Sequence, residues 1–228
     1  MIPLKDNIRP RRFPLVNKTL IGINVAVFLY QVLLTPQGVQ ELVFTFGVVP
    51  RQITGLTPGD LVAAGFIPLL PLVTATFLHG GWLHLIGNML YLWVFGDNIE
   101  DCLGPVKYLF AYIVMGMVGH FSHIIFDPFS PVPLIGASGA IAGVLGAYFI
   151  LYPWAKVLTL LPLGIFFTFV EIPAVIFLFL WFFIQVASGV AELVMSPQMQ
   201  VIAWWAHVGG FISGVAAGIF IKRRKLCQ

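Results

Sequence analysis

Three polar positions stand out in an otherwise apolar chain. Ser138 lies in Gly136-Ala137-Ser138-Gly139-Ala140, His207 lies in Ala206-His207-Val208-Gly209-Gly210, and His84 and Asn88 share a third apolar run. A serine within hydrogen-bond reach of a neutral imidazole is a nucleophile–base pair, because the imidazole can take the hydroxyl proton as the oxygen attacks a carbonyl. His84 and Asn88 are spaced i, i+4, which puts them on one face of a helix. An imidazole N–H and a carboxamide NH₂ on one face are suited to holding a developing oxyanion, and one such donor is worth about 3 kcal/mol in a serine protease. A metal site is the weaker reading of that pair: His79 is near, but no Asp, Glu or Cys converges on it. Each position also has a purely structural reading. A serine in a membrane helix commonly bonds the preceding turn or supports close packing. An isolated membrane histidine can be a satisfied packing residue or part of a proton path, and a His–Asn pair can clamp two helices.

The elements that would have to position these groups are rich in glycine. Gly136, Gly139, Gly143 and Gly146 leave one side of the segment after Ser138 nearly bare, and Gly210, Gly214 and Gly218 repeat every fourth residue after His207. Two bare helices can approach backbone to backbone, which would bring His207 to Ser138. A serine at a helix N-terminus also has its own amide, and those just after it, without an intrahelical acceptor. Such amides are ready donors to an oxyanion. No acidic residue is placed to complete a triad; Asp127 and Glu192 fall in loop-like surroundings.

Composition sets the medium. Of 228 residues, 59% are hydrophobic and 9% charged, against about 25% charged in a soluble domain. The apolar runs are long and continuous rather than alternating, which argues for membrane helices and against a membrane barrel. Spanning takes roughly 20 residues, and the candidate helices are about 19–35, 82–101, 105–126, 136–152, 172–192 and 201–221. Leu61–Leu78 and Val157–Val170 compete for membrane-crossing roles, but the first contains Gly65, Pro68 and Pro71 and the second Pro162 and Gly164. With six helices, His84, Ser138 and His207 all fall near the outer ends of their helices. An eight-helix count would send Ser138 and His207 to opposite faces. The expectation is therefore an all-α membrane protein with six transmembrane helices. Pro36–Leu78 becomes a hydrophobic loop between helices 1 and 2 that lies in the membrane interface as short amphipathic helices, anchored by Trp82. Val157–Val170 becomes an apolar connection that dips into the membrane from the cytoplasmic side.

Nine of the twelve basic residues sit at the two ends: Lys5, Arg9, Arg11, Arg12 and Lys18 before the first helix, and Lys222, Arg223, Arg224 and Lys225 after the last. Basic clusters flanking membrane helices read as orientation signals rather than as a nucleic-acid surface, and they put both termini in the cytoplasm. The first apolar run is longer than a signal h-region and contains Asn24 and Gln31, so it reads as an anchor. Cys102 and Cys227 have no partner at disulfide or metal spacing and read as incidental.

Together, His79-Gly80-Gly81-Trp82-Leu83-His84-Leu85-Ile86-Gly87-Asn88, Gly136-Ala137-Ser138-Gly139 and Ala206-His207-Val208-Gly209-Gly210 resemble, in order and spacing, the rhomboid intramembrane serine proteases. The resemblance covers roughly residues 15–221, with 1–14 and 222–228 as basic cytoplasmic tails. It implies a six-helix fold with a membrane-embedded loop between helices 1 and 2. It implies cleavage of peptide bonds in or near transmembrane helices by a Ser–His dyad through an acyl-enzyme, without cofactor or metal. Residue by residue, it implies Ser138 as nucleophile and His207 as general base. The oxyanion hole would be Asn88, His84 and the Ser138 amide, with His79, Gly136, Gly139 and Gly210 in support. The implied partners are transmembrane protein substrates and membrane lipid. The aromatic run Phe177, Phe179, Trp181, Phe182 and Phe183 resembles the family's candidate lateral gate. Ala142 departs from the pattern, in which an aromatic four residues after the serine stacks on the histidine. A catalytically inactive relative that binds membrane helices is the alternative reading, and the presence of both Ser138 and His207 argues against it. A prokaryotic plasma membrane is the expected location, with the site opening to the outer face.

Overall fold

The computed structural model describes residues 1–163, 166–195 and 202–227. The N-terminal segment, read from sequence as a tail, forms strand β1 (Ile2–Asp6) and leads into helix α1 (Leu15–Leu33). The amides that open α1 meet a carboxylate: Glu100 accepts from the N–H of Val16 at 3.0 Å and from that of Asn17 at 2.6 Å. A negative charge there also complements the helix dipole.

Between α1 and the next long helix the chain folds into short pieces: α2 (Pro36–Phe46), α3 (Pro50–Thr54), α4 (Pro58–Ala64), a 3₁₀ turn over Ile67–Leu69, α5 (Pro71–Thr74) and a second 3₁₀ turn over Ala75–Phe77. Proline starts α2, α3, α4 and α5. That is the position where its missing N–H costs nothing and its fixed φ favours the helix. Thr57 and Asp60 close a reciprocal capping box on α4, and the chain then bends by 108° into Ile67–Phe77.

Helix α6 (Trp82–Leu103) carries His84 and Asn88; Gly104 and Pro105 then break the chain, and α7 (Pro105–Phe126) returns alongside. Helix α8 (Ser138–Leu151) is the centre of the molecule, with every residue from Gly139 to Tyr148 buried. It packs against α6, α7 and α10 (Trp204–Arg223). Helix α9 (Ala174–Met195) lies at the edge, with Phe177 and Leu178 buried but Phe179 and Phe183 exposed. The main core runs through Leu20, Phe28, Leu92, Phe95, Tyr112, Leu145, Phe177 and Phe211. Residue 201, where the sixth candidate helix was expected to begin, lies outside the described residues.

Among the described residues, four helices are long and apolar enough to cross a membrane: Leu15–Leu33, Pro105–Phe126, Ala174–Val194 and Trp204–Arg223. The protein is therefore a mostly helical integral membrane protein.

It is not purely helical, and this corrects the sequence reading. The run Val157–Val170, expected as an apolar connection in an all-α fold, contributes to two strands. Residues 157–163 belong to β2 (Lys156–Leu163) and residues 166–170 to β3 (Phe166–Pro173); the two strands pair antiparallel, and β1 pairs antiparallel with β2 to make a three-stranded sheet. The cysteines are a second correction. Cys102 and Cys227 form a disulfide with a Cα–Cα distance of 4.5 Å, tying the segment after α10 to the end of α6.

Candidate active site

Ser138 is the first residue of α8, and the first amide of that helix to bond back is Ile141 N–H, to the Ala137 carbonyl at 2.9 Å. The amides of Ser138, Gly139 and Ala140 come before it and point out of the helix end. The turn into α8 depends on Gly136, whose φ is +126°, a region that a residue with a Cβ rarely adopts. The Gly136 N–H is held by the Ala75 carbonyl at 2.9 Å.

Helix α10 brings in His207. A Cβ at Gly210 would overlap the Gly139 carbonyl oxygen, and one at Gly214 would overlap that of Gly143. The two helices therefore meet main chain to main chain at two successive turns. Ser138 Oγ lies 2.8 Å from His207 Nε2, within the range for a nucleophile and its base.

The far side of the imidazole is held by a residue that the sequence reading missed. His207 Nδ1 lies 2.8 Å from Gln185 Oε1, and the Gln185 amide NH₂ donates to the Trp181 carbonyl at 3.0 Å. Gln185 is 6% exposed. Two indoles flank the imidazole: Trp181 at a centroid distance of 6.0 Å with planes 36° apart, and Trp204 edge-on at 6.2 Å. Position 142 itself is alanine and brings no ring to the imidazole. The clue in the sequence was slight, since Gln185 is the first polar side chain after eleven apolar residues of α9.

Asn88 and His84 face the same space from α6. The Gly80 N–H donates to His84 Nδ1 at 3.3 Å, so Nε2 carries the ring proton. That Nε2 edge faces Gly136, where a Cβ would come within 2.7 Å of His84 Nε2 and 3.7 Å of Asn88 Nδ2. Asn88 Nδ2 is buried and has no hydrogen-bond partner among the described residues. His79 stands behind this group. Its ring meets His84 edge-on at 5.0 Å. The Gln31 side chain clasps its backbone, donating to the His79 carbonyl at 3.1 Å and accepting from its N–H at 3.0 Å.

These groups line one cavity of about 780 Å³, walled by His84, Asn88, Ser138, Gln185 and His207 and floored by Tyr91, Ile141, Leu145 and Trp181. That volume is in the range of a binding cleft. His120 and His123 are buried on α7 and do not line it; His120 Nδ1 pairs with the Leu72 carbonyl at 3.0 Å. Among the described residues no group of three or more His, Cys, Asp or Glu is placed to hold a metal.

Residues 68–224 match the family model described as the Rhomboid domain. The chain belongs to the rhomboid family. It is similar to "Rhomboid protein 1, mitochondrial" of Saccharomyces cerevisiae, 28% identical over 211 residues, covering 90% of this chain and 52% of the yeast protein. It is also similar to "Rhomboid protease GluP" of Bacillus subtilis, 41% identical over 76 residues, covering 33% of this chain and 14% of the bacterial protein. "Presenilin-associated rhomboid-like protein A, mitochondrial" of Danio rerio is 32% identical over 149 residues, covering 64% of this chain and 36% of the fish protein. The chain thus spans about half the length of the yeast relative and less of the other two. Mitochondrial proteins stand beside a bacterial one among these rhomboid relatives, so they give no support to the expectation of a prokaryotic plasma membrane.

Proposed function

We propose that this rhomboid is an intramembrane serine endopeptidase that cleaves peptide bonds in or near transmembrane helices of protein substrates. The observation that carries the reading is the 2.8 Å contact between Ser138 Oγ and His207 Nε2. It lies in a cavity whose other wall presents an amide donor without a partner among the described residues, Asn88 Nδ2.

Ser138 Oγ attacks the scissile carbonyl carbon while its proton passes to His207 Nε2. The carbonyl oxygen becomes an oxyanion and receives hydrogen bonds from Asn88 Nδ2, His84 Nε2 and the Ser138 amide. Collapse breaks the C–N bond, and His207 gives its proton to the leaving amine. The acyl-enzyme is then attacked by a water whose proton goes to His207; the acyl carbon–Oγ bond breaks, and the proton returns to Ser138.

The reading has a membrane geometry. Helices α1, α6, α7, α8, α9 and α10 are the six membrane helices, both termini lie in the cytoplasm, and the segment from α2 to the turn before α6 lies in the outer interface. Helix α8 has 14 residues, about 21 Å at 1.5 Å per residue, against an apolar core of roughly 30 Å. A central helix that is too short leaves Ser138 below the outer surface with a water-filled recess above it. A substrate helix must unwind locally to offer a carbonyl there, because its peptide bonds are otherwise hydrogen-bonded and shielded. Substrates with glycine, proline or other small residues near the outer boundary fit this requirement.

The test is cleavage of a single-span model substrate by the purified protein. Wild type cuts it and Ser138→Ala and His207→Ala do not, and a serine-directed phosphonate labels wild type but not Ser138→Ala. Equal cleavage by Ser138→Ala would reject the nucleophile assignment. An intact substrate and no phosphonate label on wild type would favour an inactive helix-binding relative.

A further inference from the structure

A Ser–His pair needs its imidazole in one tautomer. Nε2 must be bare to accept the serine proton, so Nδ1 must carry the hydrogen, and a neutral imidazole free to turn or to exchange tautomers satisfies this only some of the time. Serine proteases of the triad type solve the problem with a carboxylate at Nδ1. Among the described residues no carboxylate bonds His207, and position 142 offers only a methyl group.

We propose that Gln185 is the positioning residue for His207, acting as a neutral third member of the site. Three contacts form a chain with one consistent direction. The Gln185 NH₂ donates to the Trp181 carbonyl at 3.0 Å, an acceptor that cannot change its role. That bond fixes the amide orientation and leaves Oε1 facing His207 Nδ1 at 2.8 Å. A carboxamide oxygen only accepts, so Nδ1 carries the proton. Nε2 is then the bare nitrogen, and it faces Ser138 Oγ at 2.8 Å. Turning the amide over would set its oxygen against the Trp181 carbonyl oxygen and lose the 3.0 Å bond that this orientation makes, leaving a buried carbonyl-to-carbonyl contact in its place. Gln185 is 6% exposed, so water does not readily stand in for it. Trp181 serves twice, as the carbonyl that orients Gln185 and as an indole beside the imidazole.

The location of this residue has a consequence. Ser138 and His207 belong to α8 and α10, which touch main chain to main chain, whereas Gln185 belongs to the peripheral α9. The imidazole is correctly oriented only while α9 is docked. An outward tilt of α9 would leave the dyad in contact but with its base free to change tautomer.

The inference rests on the protease reading and is tested so that the two fail separately. The full-length protein is reconstituted with a single-span substrate as wild type, Ser138→Ala, Gln185→Leu and Gln185→Glu, and ¹⁵N-histidine spectra are recorded on wild type and Gln185→Leu, with the His207 signals assigned by their loss in His207→Ala. Gln185→Leu keeps the volume and removes the acceptor. It lowers kcat about 10- to 100-fold, the range for a buried polar group left unpaired, with KM within about twofold and Tm close to wild type. Gln185→Glu, protonated in this buried setting, can donate to the Trp181 carbonyl and accept from Nδ1, and it restores most of kcat. The wild-type spectrum shows His207 protonated at Nδ1, and that signature weakens in Gln185→Leu. The inference is overturned if wild-type His207 carries its proton on Nε2, or if Gln185→Leu turns over like wild type. It is also overturned if Gln185→Glu is no better than Gln185→Leu at equal Tm. Cleavage by Ser138→Ala at the wild-type rate would instead reject the protease reading, and the spectra still decide the tautomer.

Discussion

Asn17 and Asn88 are both buried asparagines in an apolar molecule, at 1% and 9% exposure, and the structure treats them oppositely. Asn17 on α1 donates to the Leu92 carbonyl at 3.0 Å and accepts from the Tyr108 hydroxyl at 2.7 Å, so one side chain joins α1, α6 and α7. Asn88 lies on α6 one turn before Leu92, yet its Nδ2 has no partner among the described residues and opens on the cavity. A buried polar group that is paired contributes modestly to stability, whereas an unpaired one costs about 1–3 kcal/mol. The two amides thus differ in what they can contribute: Asn17 is committed to the helix packing, and Asn88 keeps a donor open to the cavity.

The largest effects should separate these two residues. Asn88→Ala is expected to lower kcat about 10²–10³-fold while Tm stays close to wild type, or rises, since an unpaired amide has been removed. Asn17→Ala is expected to do the reverse. It strands the Tyr108 hydroxyl, costs about 1–3 kcal/mol of stability, and leaves kcat per folded molecule unchanged. Thermal scans and active-site titration of both variants check this, and the contrast fails if Asn88→Ala merely unfolds like Asn17→Ala.

A smaller effect falls on both properties together. Gly210→Ala drives a Cβ into the Gly139 carbonyl, which is expected to cost about 1–3 kcal/mol of stability and to slow turnover by moving His207 off Ser138. Gly22 has nothing within 4 Å of where a Cβ would stand, so Gly22→Ala is the matched control. It should be neutral or slightly stabilising by helix propensity.

The smallest effect belongs to the end of the molecule remote from the dyad. Burial raises the Asp6 carboxyl above its ordinary range, with hydrogen bonds from Tyr148 and Asn98 opposing the rise. The charged form is thus less favourable in the folded than in the unfolded state. Stability is lost as pH rises from the unfolded carboxylate range through the raised value and stays level above it. Asp6→Asn is expected to remove that slope, so its Tm relative to wild type improves with rising pH while kcat stays constant. A Tm–pH series on both proteins measures it.

The site was legible to the extent that its residues interrupt a pattern. Ser138 and His207 each break an apolar run and carry glycines at helical spacing, so type and period together pointed to a close helix pair. Gln185 also breaks an apolar run, but an amide has no chemistry that singles it out, and its partner lies on another helix. The sheet was hidden for a different reason. Apart from Lys156 and Thr159, residues 156–163 are apolar, so no alternation shows, and an apolar run of that length reads equally as helix or strand. β1 was hidden by its charges, Lys5 and Asp6, which matched the expectation of a tail. The Cys102–Cys227 bond joins positions 125 residues apart, a separation at which spacing says nothing about pairing.

The contacts of Gly210 with Gly139 and of Gly214 with Gly143 leave no side chain between the two backbones that carry the dyad. In the language of machine fitting, the pieces are seated against a hard stop, with no shim whose thickness could drift. A different lipid or altered packing elsewhere in the bundle meets that stop before it can change the spacing of the α8 and α10 main chains. The adjustable joint lies at the rim, where α9 meets α10, and that is where evolution or an engineer could retune the protein without disturbing that spacing.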